Sequence, residues 1–327
     1  MAKAIGRSEY IGIANEAAGA LGTYVVPVVY IRVDEISLYD VPQYAMADVG
    51  GGDIFMNQDG DLERISSEGG FAGPIYSDPI GHELKALVGK AGAVAQIGST
   101  GVYNHTFEMA QGNNHPGLSI TTKEANEDLG YPYYTIDTYD VTWGPEGYAR
   151  RAVSGMGRGS ESKTTSTPTA LDNSTKFITS QITAKLAADV AALSSADNIK
   201  AISGAINFKK NAETHWVSGR ADKNPDDITN NSFDITGSLE LYFEDAVQRN
   251  KVFGNTKQAL EVVMTTGTGS SLRAFKITIP VVVLSGFEKN RDMNTAFRQN
   301  IEFTTVRPAL TTEPFEIVLT NARSNPY

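Results

Sequence analysis

Along most of this chain apolar and polar positions alternate with a period of two. The runs Val28–Leu38, Tyr133–Trp143, Phe233–Phe243, Leu260–Met264, Phe275–Leu284, Ile301–Val306 and Phe315–Leu319 are rich in Val, Ile, Thr and Tyr. Clusters of Gly, Asn, Asp and Pro separate them, a pattern that predicts antiparallel strands. Two stretches carry helical signals instead. Asp78–Gly89 opens with Asp78 as an N-cap and Pro79 at the first helical position, and Gly89 stops it. Glu244–Gly254 is acidic at its start and also closes on Gly. The Ala-rich stretch Thr183–Leu193 reads equally as helix or strand, and Val41–Gly70 and Asn211–Ser232 read as long polar loops. The expected class is mostly β, with one short helix in each half.

The order of these features repeats. Ile31–Asp40 resembles Ile199–Lys210, and a polar loop follows each. A small residue plus glycine, Ala72-Gly73 and then Thr236-Gly237, leads in both cases to a strand and the helix. After each helix a strand ends in Met, at His105–Met109 and at Leu260–Met264. Repetition of a whole order of elements predicts two copies of one β module. Their bounds are 1–155 and 176–327, and the join 156–175 is rich in Ser, Thr and Gly. Its opening, GMGRG at Gly155–Gly159, reads as flexible.

A chain of 327 residues is long enough for two cores. Its 28 Lys and Arg face 38 Asp and Glu, a formal net charge of −10. That balance argues against a protein that grips nucleic acid through clustered cations. With 0 Cys, a disulfide framework and a thiolate metal site are both excluded. No run of apolar residues is long enough to span a bilayer, and MAKAIGRSEY does not read as a signal peptide. The expectation is a soluble protein made in a cytoplasm.

Motifs for chemistry fail one by one. His82-Glu83 lacks the second His of a zinc protease helix, because Ala86 stands in its place. His82, His105, His115 and His215 are scattered. A calcium loop centred on Gly60 would have Phe55 and Ser66 at its two end ligand positions. GSTG at Gly98–Gly101 lacks the first glycine of a nucleophile elbow, and GMGRG lacks the spacing of a phosphate loop. No catalytic residue, metal ligand or cofactor is expected.

Three groups of residues carry a resemblance. The first is EAAGALGTYVVPVVYIRV at Glu16–Val33. The second is DPIGHELKALVGKAG at Asp78–Gly92, followed by NHTFEM and the short Leu118–Ile120 run. The third is SFDITGSLELYFEDAVQRNKVF at Ser232–Phe253, followed by LEVVM and RAFKITIPVVVL. In this order they resemble the tail tube (major tail) proteins of long-tailed bacteriophages, over nearly the whole chain. The resemblance implies two tandem tail-tube-like β-sandwich or barrel modules, each with one short flanking helix. It also implies subunits that join edge strands into an inner barrel and rings that stack into a hollow tube in the virion tail. Implied partners are further copies of the chain, tape measure, terminator and baseplate proteins, and DNA that passes without specific binding. No membrane is implied, and the tail would be non-contractile.

The net charge suits that role, because an acidic wall repels phosphate. Acids in the predicted strands are the lumen candidates: Asp34, Glu35, Asp137, Asp140, Glu240 and Glu302. The long loops supply the ring-stacking candidates Asp53, Asn57, Asp59 and Asp61, then Trp216, Arg220 and Asp226. If ring places number six, as the resemblance implies, two modules per chain give a trimeric ring of pseudo-sixfold symmetry. The competing readings are another β-sandwich tail or baseplate protein, a carbohydrate-binding or adhesion module, and an enzyme built on a β-sandwich.

Overall fold

A computed structural model describes residues 10–17, 21–47, 59–112, 115–123, 127–163, 174–243, 246–290, 296–309 and 313–327. In the first half the strands are β1 (Tyr10–Asn15), β2 (Val29–Ile31), β3 (Glu35–Ile36), β4 (Tyr39–Ala47) and β5 (Asp59–Pro74). Helix α1 (Ile80–Val88) follows, then β6 (Gly89–Gln96), β7 (Tyr103–Met109), β8 (Leu118–Lys123), β9 (Asp128–Trp143), β10 (Arg150–Arg158) and β11 (Glu161–Lys163). The second half holds β12 (Ile182–Ala187), β13 (Asn198–Ile199), β14 (Ala201–Lys209), β15 (Ala212–His215), β16 (Asp227–Asn230) and β17 (Asp234–Tyr242). Helix α2 (Val247–Phe253) precedes β18 (Gln258–Thr266), β19 (Arg273–Asn290), β20 (Arg298–Thr305) and β21 (Glu316–Asn321). The fold is mostly β, as the alternation predicted.

Two long strands organise it. The first part of β9 pairs with β8, which pairs with β1; its last part pairs with β10, which pairs with β5 and through it with β3. In the same way β19 pairs first with β18, then β12, and later with β20, then β17 and β14. Strand β18 therefore holds the position of β8, not of β7. The two Met-ending strands, expected to be counterparts, are not: β6 and β7 form a hairpin that the second half lacks among its described residues.

The halves meet in two seams. Strand β14 pairs with the free edge of β9, Gly204 opposite Trp143 through Lys209 opposite Thr138. Strand β21 pairs with β7, Ile317 opposite Phe107. One cluster of buried side chains runs across both, joining Tyr139 and Val141 to Ile206, Phe208 and Phe315.

Several polar segments fold more tightly than expected. Val41–Gly70 is chiefly the β4–β5 hairpin, whose outer part, Gly60–Arg64 opposite Gln43–Met46, is exposed or half-buried and so without apolar alternation. Asn211–Ser232 carries the β15–β16 hairpin. The GMGRG stretch lies largely in β10, where a Cβ on Gly155 would come within 2.1 Å of the Thr135 carbonyl oxygen. Those glycines serve close strand approach, not flexibility. Thr183–Leu193 resolves into β12 and a short 3₁₀ turn at Ala191–Ser194. Pro79, one residue later than expected, caps α1 without a side-chain bond, and Gly89 ends it in the left-handed region at φ 85°.

Helix α1 is buried at every residue but Lys85 because both halves hold it. Arg151, on β10 and 2% exposed, donates from Nε and Nη2 to the Glu83 carboxylate at 2.6 and 2.8 Å, and from Nη1 to the Pro74 carbonyl. Tyr139 donates to the same carboxylate at 3.2 Å. From the second half, buried Lys210 donates to the Ala86 carbonyl at 2.8 Å, and burial pushes its pKa down to about 7. Tyr327 donates its hydroxyl to the Asp78 carbonyl, accepts from Lys85, and sets its ring against His82 and His105.

Removing one partner of the buried pair strands a charge. Arg151→Ala is expected to lower unfolding free energy by about 3–5 kcal/mol in denaturant titration. The double change Arg151→Met with Glu83→Leu is expected to recover most of that loss.

Candidate functional site: an open polar sheet face with two free edges

Strands β3, β5, β10, β9, β14, β17, β20 and β19 form one antiparallel sheet, and its register is continuous. Glu35, Ala72, Ala152, Asp140, Asn207, Thr236, Thr304 and Val283 stand opposite one another in a single row across it. Because side chains alternate, the neighbouring row faces the other way: Phe71, Val153, Tyr139, Phe208 and Ile235 are all buried. One face is thus core. The other is polar and small.

The polar face carries four of the six lumen candidates. Glu35 and Glu302 are exposed, and Asp140 and Glu240 are half-buried. Asp140 accepts from the Asn207 amide. Glu240 accepts from Ser203 at 2.8 Å and pairs with Arg298 at 3.1 Å. Asp34 lies in the bend before β3 and pairs with Arg150 at 2.7 Å. Asp137 belongs elsewhere. It is the extra residue of a bulge between β9 and β10 and accepts the Ala212 N–H at 2.7 Å, a structural clamp on β15. A choice based on acids alone missed the cations Arg150, Lys209 and Arg298, which share strand parity with the acidic rows.

The two outer strands of this sheet are unequal to the rest. Among the described residues β3 pairs only with β5, and β19 from Val283 onward pairs only with β20. Each leaves a row of backbone groups open on one edge.

At the end of the sheet where Lys209 and Asp234 stand, the β4–β5 hairpin meets the loop between β15 and β16. Ile65 donates its N–H to Lys223 at 2.8 Å, and the Arg64 guanidinium lies over Trp216 at 5.2 Å. Arg220 pairs with Asp222 at 2.6 Å and also with Asp226. Its hydrogen bond holds the Asp222 carboxyl down at about 2. Three stacking candidates, Trp216, Arg220 and Asp226, therefore stand together with Arg64, which went unnoticed in a segment read as loop. Asp61 is exposed opposite Ala45, and Asp59 opens β5 opposite Ala47. Asp53 and Asn57 lie outside the described residues.

No group of three or more His, Asp or Glu among the described residues is placed to hold a metal ion, and no described helix is long and apolar enough to cross a membrane. The profile of the phage tail tube protein family matches residues 7–305. The chain belongs to the phage tail tube proteins. Among curated proteins none matches the chain. Tail tube proteins are structural components of the virion tail that assemble with themselves into the tube and meet other tail proteins there.

The polar face and the bulge separate on mutation. Glu35→Gln and Glu302→Gln are each expected to change stability by no more than about 0.5 kcal/mol. Asp137→Ala is expected to cost about 1–3 kcal/mol, because the Ala212 N–H loses its acceptor. Chemical denaturation of the unpolymerised protein measures both.

Proposed function

We propose that three chains close into a ring, each filling two of six places with two copies of one β module, and that stacked rings form a DNA-conducting channel. The observation that carries this reading is the seam inside the chain. Strand β14 of the second half adds to the free edge of β9 of the first, Ile206 opposite Val141. In the shared pairing scheme β3 is the counterpart of β14, and the late part of β19 is the counterpart of that part of β9. These are the two edges left open.

Carrying the inner seam to the outer edges sets a register. Asp34 would face Leu284 of the neighbouring subunit, and Glu35 would face its Val283. The contact is head-to-tail and repeats until it closes. Three eight-stranded sheets would make a barrel about 40 Å across between backbones before strand tilt widens it. Its inner wall would be the polar face, where Glu35, Asp140, Glu240 and Glu302 repel phosphate and let a duplex slide. The join around Trp216 and Arg64 is the surface for the next ring. Assembly would take place in the host cytoplasm, with tape measure, terminator and baseplate proteins as further partners, in a non-contractile tail.

Cysteine pairing tests the register in a chain that has 0 Cys. Chains bearing only Glu35→Cys are mixed with chains bearing only Val283→Cys, assembled and oxidised. Disulfide-linked dimers in high yield are expected, since opposed Cβ atoms lie about 5 Å apart. Assembled tubes without that crosslink would contradict the seam.

A further inference from the structure

Two surface features stand at opposite ends of strand β10. At its far end Arg158 donates to the Pro225 carbonyl at 3.2 Å, and Gly159 donates its N–H to the Asn224 side chain at 2.9 Å. Beside them on β5, Ile65 donates to the Lys223 carbonyl at 2.8 Å. These bonds seat the loop between β15 and β16 on that end. At the near end, just before Arg150, the turn Gly144–Tyr148 joins β9 to β10. A strand of 9 residues separates the two features by about 27 Å.

The loop forms a cavity of about 270 Å3 lined by Arg64, Trp216, Val217, Gly219, Arg220 and Lys223. Its charged groups are mostly matched: Arg220 pairs with Asp222 and Asp226, and Arg64 lies 3.5 Å from Glu63. Lys223 differs. It is exposed and has no ion-pair partner among the described residues. Val217, on the rim, is 56% exposed.

The turn has the complementary chemistry. Pro145, Glu146, Gly147 and Tyr148 are all exposed, and Glu146 has no ion-pair partner among the described residues. The turn is braced from behind, because Thr179 donates to the Gly147 carbonyl at 3.0 Å and Ala149 to the Phe177 carbonyl at 2.9 Å. A Cβ built on Gly147 would meet nothing within 4 Å. Beside the turn a groove of about 420 Å3 runs over Pro145, Tyr148, Ile178 and Ser180, with Tyr148 50% and Ile178 39% exposed. One feature thus offers an unmatched carboxylate and an apolar groove, the other an unmatched ammonium and an exposed valine.

We infer that the Gly144–Tyr148 turn of one subunit docks on the Trp216 cavity of a subunit in the adjoining ring, with Glu146 on Lys223 and Val217 in the groove beside Tyr148. The inference rests on the end-to-end stacking of rings and names the surface that meets the Trp216 join. Stacking along the strand direction brings the far end of one β10 toward the near end of another. Both partners are held in place by their own chain, so docking orders little. A single exposed ion pair is weak, but every subunit of a ring repeats the contact and the repeats act together.

Charge exchange in full-length chains tests it. Lys223→Glu and Glu146→Lys each set like charges against one another. Each is expected to raise the concentration at which tubes appear in electron micrographs by about tenfold or more. The double variant is expected to return it to within about threefold of wild type. Single variants that polymerise like wild type, or a double variant no better than the singles, would overturn the contact and leave the stacked rings standing. Wild-type chains that form rings but no stacks at any concentration would sink the stacking itself, and the contact with it. Wild-type tubes offer a second readout through a carbodiimide, which takes up the water lost as a carboxylate and an amine form an amide. A Glu146–Lys223 crosslink between chains is expected by peptide mass spectrometry in tubes and not in unassembled subunits. Tubes crosslinked at other pairs but not at this one would also contradict the proposal.

Discussion

The backbone groups along a sheet edge must find partners, and the architecture of this chain follows from where they find them. An N–H or C=O left open is costly when buried and adhesive when exposed. Inside the chain β14 satisfies the outer part of β9, and that single seam turns two short sheets into one of eight strands with a common register. Among the described residues the same constraint leaves β3 and the end of β19 unmet on one edge. A subunit that must join identical neighbours needs edges of this kind, which a monomeric binding module would cover or blunt.

The rest of the structure keeps that sheet rigid and its polar face clear. The core lies on the other face, and α1 is locked beneath it by Arg151, Lys210 and Tyr327, two of them from the second half. The second half solves the matching position differently: Phe303 stands in the row where Arg151 stands in the first, and α2 is left exposed. A buried ion pair specifies orientation at a cost in desolvation. Here it fixes the helix onto which Tyr327 docks.

Much of this was legible in the sequence, for physical reasons that also mark its limits. Strands β9, β17, β19 and β20 have one face on the core, so their alternation is plain, and Gly89 announces the end of α1. The outer part of the β4–β5 hairpin, Gly60–Arg64, is exposed or half-buried throughout, so it carries no apolar alternation and reads as loop. The glycines of Gly155–Gly159 suggested slack where close approach of Thr135 demands them. Asp137 stands three residues from Asp140, so alternation alone sets it apart from the polar row, and the bulge opposite Ser154 and Gly155 makes it the extra residue that accepts the Ala212 N–H. The candidate face was found through its acids, while the free edges that give it meaning are pairing facts with no signature in side chains.

The central claim is that one chain fills two places around the channel. End-on electron microscopy of assembled tubes, with rotational averaging and no imposed symmetry, tests it most directly. The account predicts a threefold ring with six similar lobes around an open centre. Six identical chains per ring, or a closed particle without a channel, would contradict it.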